Sequence, residues 1–465
     1  MRNKFLLSCL VLALGLASMT LRAQTARSLY FMDNAPARLQ LNPALQPMRG
    51  YFNLPVVGAV GASVVSNPLR VEEFIDILEE ENDFLQNDAL FRRLKSKNDL
   101  NLVVNTDVLS LGFYSGKGFW TVNVGAKVFV NTSMPKTLFE FARASNDLSD
   151  ALERYYDGGA DLQLLEQALQ GVGKSYKIQD FKLSANVFTE VGVGYSRPVS
   201  NRLTVGGRVK VLVGAGNLDA DIQEMNIQLD YPRELRDASD IVWKVTSKGK
   251  LDVSMKGLEL SEDEEEEYID DIDFDSPGVS GYGAGLDLGI SYALLDRLTL
   301  SASVVDLGFI NWSKSSTTYT RVRNQHDYMA DEEGTNIFDY DLIKFVPEEK
   351  EKGRTTSLEP MLNVGAEYTF LNSKFGVGVL YSNRFQNTES FSELTLSGNY
   401  HPNNWFAATV SYSFLHSEGK TLGVGLKFGP IFLASDYLIL DDFDSISQAN
   451  AYLGISIPLG KKRNK

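Results

Sequence analysis

The sequence predicts an all-β chain: a transmembrane antiparallel β-barrel of about 14 strands, with an N-terminal plug and helical insertions in its outer loops. Three observations point there. Between Val187 and Val213, every second residue of two runs is apolar (Val187, Val191, Val193, Tyr195, then Leu203, Val205, Val209, Val211, Val213), while Glu190, Arg202, Arg208 and Lys210 stand between them. Such alternation places one apolar and one polar face on a sheet, over the roughly 9–11 residues that a tilted strand needs to cross a bilayer. The same pattern recurs to the end of the chain, and its joints are alternately short and long.

Met1 to Ala23 has a basic start (Arg2, Lys4), an apolar run from Phe5 to Ala17 and a small residue before Gln24, so residues 1–23 read as a secretory signal peptide. The apolar run is too short for a membrane anchor. Cys9, the one cysteine, leaves with it, and no disulfide, thiolate nucleophile or cysteine metal site is expected in the mature chain. Loss of Arg2, Lys4 and Arg22 takes the formal charge from −15 to −18, which argues against nucleic acid as a partner. A mean hydropathy of −0.15 says little, because a barrel hides its apolar half by alternation.

Residues 24–50 are expected to form the plug. Pro36, Pro43 and Pro47 exclude a long helix or a central strand, and Leu29-Tyr30-Phe31 with Leu41 and Leu45 suggest packing. Residues 51–465 form the barrel. Tyr51 to Val65 is a first strand made irregular by Pro55, and Pro68 to Lys97 is a helical insertion. Leu102–Tyr114 and Phe119–Val130 form a hairpin, Met134–Gln170 is helical again, and the opening hairpin follows. Within the long segment from Asn217 to Gly278, Ile241–Val245 and Leu251–Met255 read as a small hairpin turning at Lys248-Gly249. Gly281–Leu294 pairs with Leu298–Asn311, a polar excursion runs from Trp312 to Thr356, and a meander from Leu362 to Leu459 completes the wall.

All the short joints fall on even positions (Ser115–Gly118, Pro198–Asn201, Leu295–Arg297, Asn372–Lys374, His401–Asn404, Gly429–Pro430) and the large insertions on odd ones. Short periplasmic turns and long outer loops follow that rule, so the reading is an outer-membrane protein with both termini periplasmic. Tyr195, Tyr292, Tyr368, Phe370, Tyr400, Trp405 and Phe428 sit beside the short joints, where an inner aromatic girdle belongs.

Leu29-Tyr30-Phe31, Leu41-Asn42-Pro43-Ala44 and the Pro55-containing first strand together resemble an uncharacterised Bacteroidota outer-membrane β-barrel family, carried as a domain of unknown function. More distantly the chain is similar to the long-chain fatty-acid transporter superfamily. That resemblance implies 14 strands and an N-terminal hatch containing Asn-Pro-Ala, matched by Asn42, Pro43 and Ala44, and the superfamily includes barrels of type IX secretion.

No enzyme chemistry, cofactor or metal site is expected. The three histidines, His326, His401 and His416, fall on different loops, and His416-Ser417 lacks an orienting third group. Gly281 to Gly285 lacks phosphate-loop spacing. The acidic run Glu262–Glu267 leads into Asp271-x-Asp273-x-Asp275, which touches the calcium-loop pattern, but Ser276 stands where glycine is needed and Tyr282 where the final glutamate belongs. Lys127, Glu190, Arg208, Lys210, Asp287, Glu367 and Lys427 are the candidates for lining the lumen. Two functions compete: passage of small hydrophobic or amphipathic solutes, with the helical insertions as an apolar collecting surface, or a non-transporting scaffold that binds an envelope or secretion protein. The expected partners are outer-membrane lipid and either a hydrophobic small molecule or an envelope protein.

Overall fold

The alternating runs fold into strands whose apolar positions point away from the barrel axis. Val209 is 63% exposed while the side chain of its neighbour Lys210 is 0% exposed, which fixes the apolar face as the outside. The computed structural model describes residues 27–460 except 34, 54–58, 68, 71–72, 74–84, 159–161, 173–174, 237, 263–268, 275–277, 323–324, 330–343, 349–351, 387–390, 415–420 and 438–447. The expected signal peptide, Pro55, most of the acidic run and His416 lie outside the described residues.

In chain order the strands are β1 (Gly50–Asn53), β2 (Ala59–Ser66), β3 (Lys97–Ser115), β4 (Gly118–Pro135), β5 (Ser175–Pro198), β6 (Leu203–Asp230), β7 (Val242–Met255), β8 (Leu258–Glu262), β9 (Ile269–Phe274), β10 (Gly281–Leu295) and β11 (Leu298–Trp312). Then come β12 (Thr317–Val322), β13 (Gln325–Met329), β14 (Phe345–Glu348), β15 (Arg354–Ser357), β16 (Met361–Phe370), β17 (Phe375–Arg384), β18 (Phe391–Tyr400), β19 (Phe406–Ser413), β20 (Thr421–Phe428), β21 (Ile431–Ser435) and β22 (Gln448–Leu459). Taking β1 and β2 as one interrupted strand, 14 antiparallel strands close the wall. Closure is made by that first strand, which lies between β3 and β22: Tyr51 faces Gly112 and Pro458, and Val60 faces Thr106 and Leu453.

The six tight joints join β3 to β4, β5 to β6, β10 to β11, β16 to β17, β18 to β19 and β20 to β21, so all lie at one end of the wall, as the sequence predicts. Gly116 (φ 58°) and Gly429 (φ 56°) occupy left-handed turn positions there, where a Cβ would be strained. Trp405, Phe428, Tyr368 and Tyr195 stand exposed beside these turns.

The wall is taller on one side. Strands β5 and β6 run for 24 and 28 residues, against 10 for β16, β17 and β18, so the first pair continues well past the span a membrane requires. Along this extension β6 pairs with β7, and β7 with β12 and β13. The small hairpin expected across Ile241–Met255 is therefore one continuous strand. The open edge of β6 offers partners along its whole length, and a bulge between Ile222 and Glu224 absorbs the register change opposite Lys248 and Gly249.

Helices Lys136–Gly158 and Leu162–Gly171 pack on the outer face of this extension. Phe141 stands edge-on to Trp243 at 5.7 Å, and Leu148, Leu152, Leu165 and Leu169 are buried in the same cluster. The helical stripes are thus spent on the sheet beneath them, and among its described residues this insertion presents no apolar collecting surface. No helix among the described residues is long and apolar enough to cross a membrane.

Candidate functional site

Residues 27–47 lie inside the turn-side half of the barrel. Leu29, Met32, Ala35 and Ala37 pack on Ala407, Phe432, Ala434 and Tyr452, while Tyr30, Phe31, Leu41 and Leu45 pack on Val305, Met361 and Leu380. The proline-rich composition forbids long regular structure, and the segment makes only two short 3-10 turns, Arg27–Leu29 and Pro36–Gln40.

Asn42 pins the segment to the wall. Its amide Nδ2 donates to Tyr30 Oη (3.2 Å) and to the carbonyls of Ala302 (3.2 Å) and Ile290 (3.3 Å), while Oδ1 accepts from Ala44 N at 2.9 Å. Leu41 O accepts from Ser303 Oγ (2.6 Å) and Asn363 Nδ2 (3.0 Å). Two glycines make the seat: a Cβ on Gly206 would come within 2.5 Å of Pro43 O, and one on Gly289 would collide with Asn42 Oδ1. The Asn42-Pro43-Ala44 signal thus falls where two wall glycines leave room for the segment to lie against the sheet.

Arg27 makes a second anchor. Nη1 reaches Glu393 Oε2 at 2.6 Å and donates to Tyr437 Oη at 3.0 Å, and the backbone N–H groups of Arg27 and Ser28 each donate to Asp436 at 2.8 Å.

Next along the axis lies a layer of buried charge. Lys210 Nζ stands 2.6 Å from Asp306 Oδ1, 2.7 Å from Asp287 Oδ1 and 3.5 Å from Glu190 Oε2. Lys127 Nζ is 2.7 Å from Asp306 Oδ1 and 3.1 Å from Glu190 Oε2, and Arg208 bonds Asp287 at 2.6 Å. Asp306 is aimed inward by a bulge: Asp287 faces a one-residue excess in β11, and Asp306 takes the left-handed conformation at φ 60°, its N–H donating to Asp287 Oδ1 at 2.7 Å. Ion pairs this deeply buried roughly break even on stability, because desolvation offsets attraction.

The layer also ties distant parts of the wall together. Arg384, on β17, lies 5.2 Å over the ring of Phe129 on β4 and 3.7 Å from Asp306, and Gln386 donates to Asn131 at 2.9 Å. Beyond it Phe129, Phe188, Leu212, Ile310, Trp312 and Leu358 form an apolar cap. From the turn end outward, the interior holds the N-terminal segment, then charge, then apolar packing.

Of the seven candidate lumen residues, Lys127, Glu190, Arg208, Lys210 and Asp287 meet in this layer. Glu367 lies nearer the turns, accepting from Asn399 at 3.3 Å, and Lys427 lies at the turn-side mouth. Asp306, Arg384, Arg27, Glu393 and Asp436 complete the site and escape a reading by alternation. Asp306 follows two adjacent apolar residues, Val304 and Val305, and that break in alternation is the bulge's trace in the sequence. Among the described residues no group of three or more His, Cys, Asp or Glu is placed to hold a metal ion.

The family described as Family of unknown function (DUF5723) matches residues 43–436. No curated protein matches. Among solved structures, the toluene transporter TbuX of Ralstonia pickettii is 11% identical, with a TM-score of 0.42 over 92% of this chain and 95% of that one. The toluene transporter TodX of Pseudomonas putida is 10% identical (TM-score 0.35; 91% and 92% covered), and the translocator domain of the autotransporter NalP from Neisseria meningitidis 5% (TM-score 0.31; 89% and 90% covered).

Proposed function

We propose that this chain, which belongs to that family of unknown function, is an outer-membrane barrel, gated by residues 27–47, that passes small hydrophobic or amphipathic solutes. The observation that carries the reading is the chemistry of the seal. A barrel built only as a rigid scaffold gains more from apolar filling than from buried charge. Here the N-terminal segment packs apolar side chains on the wall and is fixed in register there by polar pins, Asn42 and Arg27, below a charged layer. The pins can be exchanged for water one at a time, so release of the segment costs its own apolar packing and leaves the wall folded. The described conformation is the closed one, with segment, charge and apolar cap filling the interior in series. The short turns face the periplasm in this reading, and residues 24–50 are the plug.

Uptake of a labelled aromatic hydrocarbon by cells expressing the wild-type chain, a variant lacking residues 27–47 and a variant with Arg27→Ala and Asn42→Ala tests this. Both variants should take up solute several-fold faster than the wild type, which in turn should exceed cells lacking the protein. Equal uptake in all four strains, with the barrels folded, rejects passage. The height of β5 and β6 and the sheet that β7, β12 and β13 add to them favour a second reading, a scaffold for an envelope protein. Under it, uptake stays flat and a stable partner co-purifies, lost when residues 134–170 are removed.

A further inference from the structure

At the turn-side rim, a cavity of about 420 Å³ opens between the end of the N-terminal segment and the wall. Met48, Pro430 and Ile457 give it apolar sides, and Trp405, 64% exposed, stands at its outer lip. Its charged lining groups are Arg49 and Lys427, and no Asp or Glu lines it among the described residues. That is unusual in a chain of net charge −15, and it sets this place apart from the rest of the interior. Lys127, Arg208, Lys210 and Arg27 each sit against a carboxylate.

Lys427 is only 6% exposed, yet its ammonium meets two backbone carbonyls, those of Asn404 (3.3 Å) and Gly429, and leaves a third donor over. Arg49 Nε is shielded from solvent and has no hydrogen-bond partner. Lys427, buried without a counter-charge, and the shielded Nε of the half-buried Arg49 leave this cavity short of negative charge, which an anion from outside the chain would supply. The surroundings say from where. Phe428, Ile431, Ile457 and Leu459 are exposed on the outer wall beside the cavity, and an exposed tryptophan at a barrel rim marks head-group depth.

We propose that this cavity seats one anionic phospholipid, its phosphate held between Lys427 and the Arg49 guanidinium and an acyl chain lying along Pro430 and Ile457. Guanidinium and ammonium groups suit a phosphate's several acceptor oxygens, and the volume falls within the range of small-ligand sites. This goes beyond solute passage and requires only that the outer wall face lipid.

The test is native mass spectrometry of the full chain released from mixed phosphatidylglycerol and phosphatidylcholine micelles. The wild type should retain one phosphatidylglycerol at least tenfold over phosphatidylcholine, and Arg49→Met or Lys427→Met should each reduce that preference about tenfold. Because Lys427→Met removes a buried group, Arg49→Met at the rim is the safer variant. Quenching of Trp405 by brominated phosphatidylglycerol, with Trp405→Phe as control, reads occupancy in the folded protein. Equal retention of the two lipids, or undiminished preference in the folded double variant, overturns the proposal. Competition arms locate the source of the anion: displacement of the lipid by inorganic phosphate alone, or tighter retention of dodecanoate than of phosphatidylglycerol, overturns the assignment to a membrane lipid.

Discussion

Lys210 holds more of the charged layer together than its neighbours, since three carboxylates converge on an ammonium with no exposed surface. Lys210→Met should lower stability by about 3–5 kcal/mol, the usual cost of stranding buried carboxylates. Arg384→Met, whose contact with Asp306 is 3.7 Å, should cost clearly less. Urea unfolding in lipid vesicles measures both, and equal midpoints would show that the layer carries no such ranking. Asn42→Ala should act on the segment and spare the wall. It removes the amide's hydrogen bonds to Tyr30 and to the carbonyls of Ala302 and Ile290, costs roughly 1–3 kcal/mol locally, and should speed tryptic cleavage at Arg38, which is buried while the segment is seated. Asn42 stands out in the sequence because it begins a recognisable tripeptide. Arg27 does not, because its partners Glu393 and Asp436 lie more than 360 residues away and no local pattern joins them.

At the scale of elements, strands with one outer and one interior face, β10, β11 and β16 to β20, were legible to within about a residue, whereas β3 to β6 run well past their expected ends. Alternation is a local property, and Gly116 and Gly429 mark turns on their own. What was not legible is where a strand gains a partner beyond the membrane. Ile241–Val245 and Leu251–Met255 carry the pattern of a hairpin, but the extension of β6, distant in sequence, draws both into β7. The insertion Met134–Gln170 was readable as helical, while the surface receiving its stripes was not; much of Pro68–Lys97 lies outside the described residues. Phe141→Ala removes an aromatic that packs on Trp243 and Tyr176 and should cost about 3–5 kcal/mol. That loss belongs to the external layer. Amide exchange in Lys136–Gly158 should rise steeply while the amides of β16 to β19 stay protected; if both change together, the external layer and the wall are one cooperative unit.

At the scale of the whole molecule, the seat of residues 27–47 is assembled from almost the entire circumference. Gly206 belongs to β6, Gly289 to β10, Ser303 to β11, Asn363 to β16 and Glu393 to β18, and Asp436 follows β21. The seat is complete only once β22 has met β1. The segment synthesised ahead of every strand is therefore among the last to reach its native place, and it does so across loop closures as long as the chain allows. The wall must then be able to form without it. In refolding followed by heat-modifiable mobility and by proteolysis at Arg38, the variant lacking residues 27–47 should close its barrel at the wild-type rate, with protection of Arg38 in the full chain appearing as a later, separate phase. A truncated chain that cannot close would mean the segment templates the cylinder instead of filling it. If the wall closes first, the protein is early in its life an empty ring, and its resting state is a condition it acquires.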